Sequence, residues 1–566
     1  MSNTLSMENI GDLPQNETTY IKPSLGDFCR PGKCSRTQAV RQLEVELEQT
    51  REHLEEREAI IAALTEELEH KEGILRKLQL EMYGERRNKP KVPPTQEQPS
   101  AEEEGSEQKN PGSAPKKKGG QKGHKGHGRK IPEHLPIVER VHEPSQEDCV
   151  CERCGKPFEE SGLTEDSSEI TVKIHFEVTR HKRKRWFKTC DCPQTPASIT
   201  APLPPKVIPK GLYSHEFLAM VLTWKYGFQI PLTRIASMFS MNGLDINTST
   251  MSGVFKKLQG LLHPLYTLLQ AEMQEEQILR IDETGFRHFD TSGSLTFTEV
   301  ETQSRKLAWL WVFSGDRVVF FAVDPSRSSN VLVNILGRDM EAIIVSDGAG
   351  AYRKYTSESA GITQARCWSH LERHFEDAAK AFPSLQGWAN QWEDRFSTIF
   401  SLRDRRTEAV SNPESLPTAQ RALEEGIAEF HAVLVAESKA SALHPEQFKV
   451  LTSALKYWPQ YTVFVRDARV PMTNNEAERG LRPGALGRQN WFGVHAEWSG
   501  HFAAIMMTFI QTATKHQLNA MAYLHYVLDI FARHEDGPRN LKELLPWNIP
   551  EEIRTLYNME PRRRSQ

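Results

Sequence analysis

Apolar and polar positions follow three rhythms along this chain, and each predicts a different kind of structure. From Val40 to Met82 apolar residues recur every seventh position, at Val40, Leu47, Leu54, Ile61, Leu68, Leu75 and Met82. The second seam position reads Leu43, Thr50, Arg57, Leu64, Lys71 and Leu78, only half apolar. The residues between are nearly all Glu, Arg, Gln and Lys, which predicts a coiled coil with one weakened seam over residues 40–86. The alternative is a single amphipathic helix lying against a globular body.

A helical rhythm occupies residues 204–272. Within it "PLTRIASMFSMNGLDINTSTMSGVFKKL" predicts a helix from Leu232 to Met241, a turn at Asn242-Gly243, a cap at Thr248 or Ser249 and a second helix. This pattern suits a helix-turn-helix, and equally an ordinary helical pair.

Runs of β-type residues come next. "QILRIDETGFRHF" reads as a strand with Asp282 near its exposed end, and "LAWLWVFSGDRVVFFAVD" as two strands joined at Ser314-Gly315-Asp316-Arg317. A helix over Ser329 to Leu336 leads to "EAIIVSDGAGAY", an apolar strand ending on Asp347 and a Gly-rich loop. The order strand, strand, strand, helix, strand suits a mixed sheet whose first and fourth strands are parallel neighbours. Asp282 and Asp347 then meet at one end of the sheet. An Asp at a strand end is ordinarily a turn former or helix cap. Two of them brought together repel, however, and a cation resolves the repulsion. Mg²⁺ takes one or two carboxylates plus substrate phosphate oxygens. A third acid from a later helix would complete a two-metal site.

Composition changes this picture in three places. A chain of 566 residues exceeds one compact core, so several domains are expected. The formal net charge of -4 conceals local extremes. Residues 1–39 read as a disordered tail, and residues 87–131 as a linker poor in apolar residues. The stretch "PKKKGGQKGHKGHGRK", Pro115 to Lys130, carries seven Lys or Arg residues and two histidines, and is either a solvated tether or an arm that follows phosphates.

Eight cysteines stand at 29, 34, 149, 151, 154, 190, 192 and 367, clustered instead of spread as a disulfide framework. In residues 132–203, "CVCERCGKPF" and "KTCDC" flank the β-like alternation "SEITVKIHFEVTRHKRKRWF". A Cys-x-x-Cys turn and a second pair beyond a hairpin can surround one tetrahedral zinc, with Cys151, Cys154, Cys190 and Cys192 as ligands and Cys149 as a substitute. Lys182, Arg183, Lys184 and Arg185 beside Trp186 suit a nucleic-acid backbone. No apolar run approaches the roughly 20 residues that cross a bilayer, and no leader pattern opens the chain, so a cytoplasmic protein without membrane attachment is expected.

The third acid should come from "TNNEAERGLRP". Thr473 stands three residues before Glu476, the spacing of a capping box. Glu478 lacks that partner, although a box with Asn475 or an i, i+4 pair with Arg482 would also occupy it. Asn474 and Asn475 could cap or contact DNA, and Arg479, Arg482 and Arg488 suit phosphates.

Taken together, "IDET", "SDGAGAY", "CWSHLERHF", "TNNEAERGLRP", "LGRQNWFG" and "LKELLPW" resemble the DDE transposases of the IS-sixty-six insertion-sequence family, over nearly the whole chain. The resemblance implies an α/β multidomain protein. Its parts would be an RNase H-like mixed-sheet core over residues 273–377 and 471–535, a helical insertion at 378–470, a tail at 536–566, an N-terminal coiled coil and a zinc-binding DNA-recognition module. Carried over residue by residue, the catalytic acids are Asp282, Asp347 and Glu478, holding two Mg²⁺ or Mn²⁺ ions. The chain departs from the pattern in having "CDC" instead of a spaced cysteine pair, and Glu476 where a small residue is common.

The reading is therefore a bacterial transposase that cuts the terminal inverted repeats of its element and joins the 3′ hydroxyl to target DNA. The resemblance also implies small accessory proteins of the same element, and the coil implies a homo-oligomer. No P-loop of the form G-x-x-x-x-G-K-[ST] is present, consistent with an exchange of phosphodiesters that needs no nucleotide. The rivals are a DNA-binding regulator with a decayed core and a junction nuclease. Metal analysis of purified protein tests the zinc expectation: at least one equivalent per chain is expected, and less than about half an equivalent would rule it out.

Overall fold

The computed structural model of the chain describes residues 36–83, 137–145, 149–159, 167–172, 174–288, 306–491, 494, 496–534 and 537–555. The basic linker at 87–131, residues 1–35 of the tail and residues 556–566 lie outside the described residues.

The heptad region forms one continuous helix, α1 (Arg36–Tyr83). Its seam residues Val40, Leu47, Leu54, Ile61, Leu68 and Leu75 are 49–63% exposed, so the stripe lies open along the helix. The last turns dock on the body of the protein. Arg76 Nε donates to the Ala381 carbonyl at 2.9 Å, Lys77 pairs with Glu446, and the His70 and Phe382 rings stack at 6.3 Å.

In the cysteine region the β-like alternation yields far less sheet than its pattern predicts. A two-stranded ribbon forms from β1 (Arg185–Phe187) and β2 (Ser198–Thr200), antiparallel, and the described residues of 167–184 hold no strand. Phe176 packs edge-on to Phe239 at 5.1 Å, but Ile170, Val172 and Val178 on the same face are 73–90% exposed, so most of that face lacks the covering layer that alternation needs.

Three helices follow: α2 (His215–Leu222), α3 (Leu232–Ser240) and α4 (Thr248–Gln274). Asn247 caps α4, its Oδ1 accepting from the Ser249 N–H at 2.8 Å, one residue before the expected cap. An Asn carbonyl does this as well as a hydroxyl. Ile235, Phe239, Met251, Phe255 and Leu258 are buried, so α3 and α4 each give one face to the main core.

That core is built on a five-stranded mixed sheet of β3 (Ile278–His288), β4 (Lys306–Ser314), β5 (Val319–Asp324), β6 (Ala342–Ser346) and β7 (Ile362–Arg366), in the order β5-β4-β3-β6-β7. The β3–β4 and β4–β5 pairs are antiparallel, and β3–β6 and β6–β7 are parallel. The first and fourth strands are thus parallel neighbours, as the order of elements predicts. Helix α5 (Ser329–Leu336) makes the crossover from β5 to β6, and α6 (Gly350–Glu358) that from β6 to β7. At the β4–β5 turn the Glu276 carboxylate accepts from the N–H groups of Asp316, Arg317 and Val318 at 2.8–3.1 Å.

Both faces of the sheet are covered. Leu279, Ile281, Trp311, Phe313 and Phe320 join the helices α2 to α4, while Phe286, Leu310, Val312 and Phe321 pack on the opposite side. After β7 the chain is helical: α7 (Trp368–Ala381), α8 (Gln386–Ala409), α9 (Leu416–Ser438), α10 (Pro445–Lys456), and the short α11 (Trp458–Tyr461) and α12 (Val463–Arg466). An aromatic core of Trp368, Phe375, Trp392, Phe396 and Phe430 binds these helices together and reaches the sheet at Val345 and Ala365.

The chain then returns as α13 (Asn475–Trp491), α14 (Glu497–Lys515) and α15 (Ala520–Arg533). Helix α13 lies close on β3 and β4. At Gly484 a Cβ would sit 2.1 Å from Leu310 Cδ2, so glycine sets that approach. Helix α14 covers the edge of β5 and answers its backbone. Phe321 N–H donates to Thr508 Oγ1 at 2.9 Å, Val319 N–H to Thr512 Oγ1 at 3.2 Å, and Thr512 Oγ1 donates back to the Val319 carbonyl at 3.1 Å. Tyr266 supplies the Phe321 carbonyl at 2.6 Å.

Because Thr512 is buried and serves both backbone groups of Val319, the isosteric Thr512→Val should leave two polar groups unanswered. A loss of about 1–3 kcal/mol is expected in denaturant melts, and an unchanged midpoint would show that the helix hydroxyl contributes nothing to the edge.

Candidate active site

Strand β3 sends Asp282 and Glu283 to opposite faces, as every strand does with neighbours. Asp282 opens into a cleft of about 280 Å³ that is lined also by Glu283, Thr284, His370, Arg373, Glu478, Leu481, Arg482 and Ala485. Asp347 directly follows β6, and its Oδ1 accepts from the Ala349 N–H at 2.7 Å in the turn before α6. Glu478 comes from the first turn of α13. Burial raises the Asp282 carboxyl from its usual 3.8 to about 7, with the charges of Glu283, Asp347 and Glu478 adding to the shift against a hydrogen bond from the Glu283 backbone. Asp282 therefore feels the other two acids singled out in the sequence, which reach it from two separate elements.

Each acid is held by identifiable contacts. Asn474 fixes the start of α13: its Nδ2 donates to the Ile281 carbonyl at 2.8 Å, next to Asp282, and its N–H to Cys367 Sγ at 3.1 Å. Asn474 is fully buried, so it is a structural pin and presents nothing to DNA. Glu478 N–H bonds to the Asn474 carbonyl at 3.1 Å. Glu478 Oε1 is buried, accepts no hydrogen bond, and lies 3.8 Å from His370 Nδ1. Around Asp347, Gly348 has φ +81°, and a Cβ there would lie 2.5 Å from Arg366 Cζ. Arg353 and Arg366 both donate to the Gly348 carbonyl, at 3.0 and 3.3 Å, and Arg366 packs 3.5 Å over the Tyr457 ring.

Glu283 was not singled out in the sequence, although it stands in the "IDET" motif. It is buried, paired with Arg327 at 2.6 Å and hydrogen-bonded by the Tyr352 hydroxyl. Burial raises its pKa, against the lowering effect of these two partners. Tyr352 in "SDGAGAY" was the available signal, since a tyrosine one turn past a strand-end Asp can return over the sheet.

Glu476 does not act as a capping acid. Its carboxylate accepts from Ser314 Oγ at 3.0 Å and Lys515 Nζ at 2.7 Å and faces Arg280 Nε at 3.2 Å, tying α13 to β3, β4 and α14. Burial works to raise its pKa, but Lys515, Arg280 and Ser314 outweigh burial and hold it below the usual range. The helix begins at Asn475, which puts Glu476 one position short of the capping-box site.

Among the expected DNA contacts, Arg479 and Arg482 are exposed on α13, and Arg482 borders the cleft. Arg488 donates to the Gly285 carbonyl, within the packing of α13 on β3. Lys182, Arg183, Lys184 and Arg185 are exposed, with Arg183 and Arg185 bonded across the ribbon to Ala201 and Thr200.

Three carboxylates, one with a buried and unengaged oxygen, are the donors a hard divalent cation takes, but their oxygens do not all lie within 4.8 Å of one another, so a cation would have to draw them closer. The cysteines fit zinc only as two separate pairs. Cys151 and Cys154 share a tight turn closed by Gly155 N–H to the Cys151 carbonyl at 2.8 Å, and Cys190 and Cys192 face each other. Among the described residues, no group of three ligand atoms mutually within 4.8 Å includes them.

Residues 210–502, more than half of the chain and all of the elements that carry the acids, match the model of the family described as Transposase IS66 family. The chain belongs to that family. Two proteins of Sinorhizobium fredii are similar to this family member. The uncharacterized protein y4hP is 28% identical over 68% of this chain and 71% of its own length. The uncharacterized protein y4jD is 23% identical over 74% and 81%. Among solved structures, the Drosophila P element transposase strand transfer complex aligns at a TM-score of 0.29 and 10% identity, over 52% of this chain and 91% of that one. This likeness is too weak for comparison element by element. Among the described residues of this transposase, no helix is long and apolar enough to cross a membrane.

The raised pKa of Asp282 has a signed consequence. Between its usual value of 3.8 and about 7 the native state holds a proton that the unfolded chain releases, so stability falls as pH rises through that window. Asp282→Asn should therefore melt a few degrees higher than the unsubstituted chain at pH 8 in chelator, and at the same temperature near pH 4. A constant difference at both values would refute the electrostatic account.

Proposed function

We propose that this transposase cleaves DNA at the ends of its element and transfers the 3′ hydroxyl to target DNA, using an RNase H-like core in which Asp282, Asp347 and Glu478 hold divalent metal. The observation that carries the reading is that Asp282, largely buried, feels the charges of Asp347 and Glu478, and shares one cleft with Glu478. The strand order β5-β4-β3-β6-β7, with two parallel pairs following two antiparallel ones, supports the RNase H-like assignment.

The three acids would hold two Mg²⁺ or Mn²⁺ ions, which supply an activated attacking oxygen and a neutralised leaving oxygen. The rest falls to the chain. Asp282 and Asp347 are presented by neighbouring parallel strands, which keeps their spacing rigid. Glu478 is brought over them by α13, pinned by Asn474 and by the Glu476 network. Arg327 and Tyr352 engage Glu283, so its charge does not compete for the same space. Arg373 and Arg482 border the cleft with cationic groups suited to the phosphates flanking the scissile bond, and Arg479 extends that surface along α13.

Outside the core, Lys182 to Arg185 would follow the backbone of the terminal inverted repeats. A structural zinc joining Cys151 and Cys154 to Cys190 and Cys192 would draw the two cysteine pairs together. The open apolar stripe of α1 suits a homo-oligomer through a coiled coil, which would bring two ends into one complex. Small accessory proteins of the same element are further partners, and the setting is the bacterial cytoplasm.

The test is comparative. With pre-cut end DNA and Mg²⁺, Asp282→Ala and Glu478→Gln should reduce joining to background while end binding in a mobility shift is retained. Glu476→Gln should keep joining and cost about 1–3 kcal/mol of stability. If Glu476→Gln abolishes joining in a folded protein while Glu478→Gln spares it, the third acid is misassigned. Cleavage without any joined product would favour a junction nuclease.

A further inference from the structure

Beside the carboxylates lies a set of ligand atoms with a different chemical character. Cys367 Sγ, a ring nitrogen of His370 and a carboxylate oxygen of Glu478 all lie within 4.8 Å of one another, and no other such group occurs among the described residues. Cys367 is the N-cap residue of α7 and His370 stands three positions on, so one helical turn presents both to the same side. Glu478 arrives from α13, whose start is fastened to the same sulfur through the Asn474 N–H at 3.1 Å. The two helices are therefore joined at the point where the three atoms meet.

We propose that Cys367, His370 and Glu478 form a second cation site, for a soft divalent ion such as Zn²⁺, which draws Glu478 away from the carboxylate triad and so inhibits the Mg²⁺-dependent reaction.

The donor set decides the kind of ion. Mg²⁺ requires oxygen ligands in near-octahedral array, whereas one thiolate, one imidazole and one carboxylate is a donor set for tetrahedral zinc with its fourth position open. Zinc bonds of about 2.0–2.3 Å place tetrahedral ligand atoms roughly 3.3–3.6 Å apart. The His370 Nδ1 to Glu478 Oε1 distance is 3.8 Å, so the site closes with small side-chain movements. Glu478 Oε1 is buried and accepts no hydrogen bond, so a cation there displaces no existing bond to that oxygen. On binding, the thiol proton leaves to solvent and the sulfur coordinates as thiolate. Because Glu478 has only one side chain to give, occupation of the soft site and of the triad compete. That inhibitory consequence rests on the proposed role of Glu478, whereas the binding itself does not.

Titration of the full-length protein with Co²⁺ alone reads the site directly, through the thiolate-to-metal absorption band. The paired cysteines of the 149–192 region would take up soft ions as well if they hold zinc, so the decisive quantity is a difference. Cys367→Ser, which keeps an acceptor for the Asn474 N–H, should bind one equivalent fewer than the unsubstituted chain at an unchanged melting temperature, and His370→Ala should also lose that equivalent. Equal stoichiometry and absorption in all three chains would overturn the site. In joining assays with Mg²⁺, Zn²⁺ should inhibit the unsubstituted chain at concentrations at least about tenfold lower than Cys367→Ser. Equal sensitivity would overturn the competition. If no chain joins DNA at all, the proposed function fails, and the Co²⁺ difference still decides the site.

Discussion

The burial of like charges midway along β3 is the constraint around which this molecule is organised. Asp282 and Glu283 are largely withdrawn from water and both feel the charge of Asp347, and Asp282 that of Glu478 as well, so burial and these neighbours raise both carboxyls. Two of these acids stand on parallel neighbouring strands, whose backbone ladder cannot yield without breaking the centre of the sheet. A third sits on a helix that glycine contact and the Asn474 pin hold against those strands. Glu283 is relieved by Arg327 and Tyr352, which spares the cluster one charge. Such a site lowers the stability of the metal-free protein, and the large hydrophobic cores on both sheet faces offset the cost.

The two glutamates on the first turn of α13 show how burial and partners divide one local sequence into different chemistries. Glu476 meets Lys515, Arg280 and Ser314 and is kept ionised. Glu478 meets a histidine at 3.8 Å and otherwise leaves an oxygen unengaged. The first is satisfied by the protein itself. The second keeps one buried oxygen without a hydrogen bond, and such an oxygen is a standing invitation to a cation. Which cation answers depends on whether oxygen ligands or sulfur and nitrogen ligands complete its sphere.

Much of the core was legible because its signals are local. Apolar runs bounded by turn residues marked β3 to β6, and the crossover helix at Ser329–Leu336 followed from its own periodicity. The parallel neighbouring of β3 and β6 came from the order of elements. What escaped depended on distant partners. Glu476 looked like a cap because Thr473 is near in sequence, while Arg280, 196 positions away, is nearer to its carboxylate in space. Asn474 looked like a cap or a DNA contact, and its Ile281 partner cannot be read from spacing. The alternation before Arg185 predicted strands that do not form, because period two stabilises a strand only where another layer covers one side.

Helix α14 has a consequence for how copies of the chain can meet. An open sheet normally invites its own kind, since a strand from another molecule can extend the ladder at an edge. At Val319 and Phe321 that offer is withdrawn, because threonine hydroxyls and a tyrosine already occupy the outward backbone groups. A neighbouring molecule finds side chains where it would need free amides. Growth by strand addition is closed on this side, so assembly of the catalytic body must proceed through side-chain surfaces, whose order can be controlled, and not through the indiscriminate pairing of backbones.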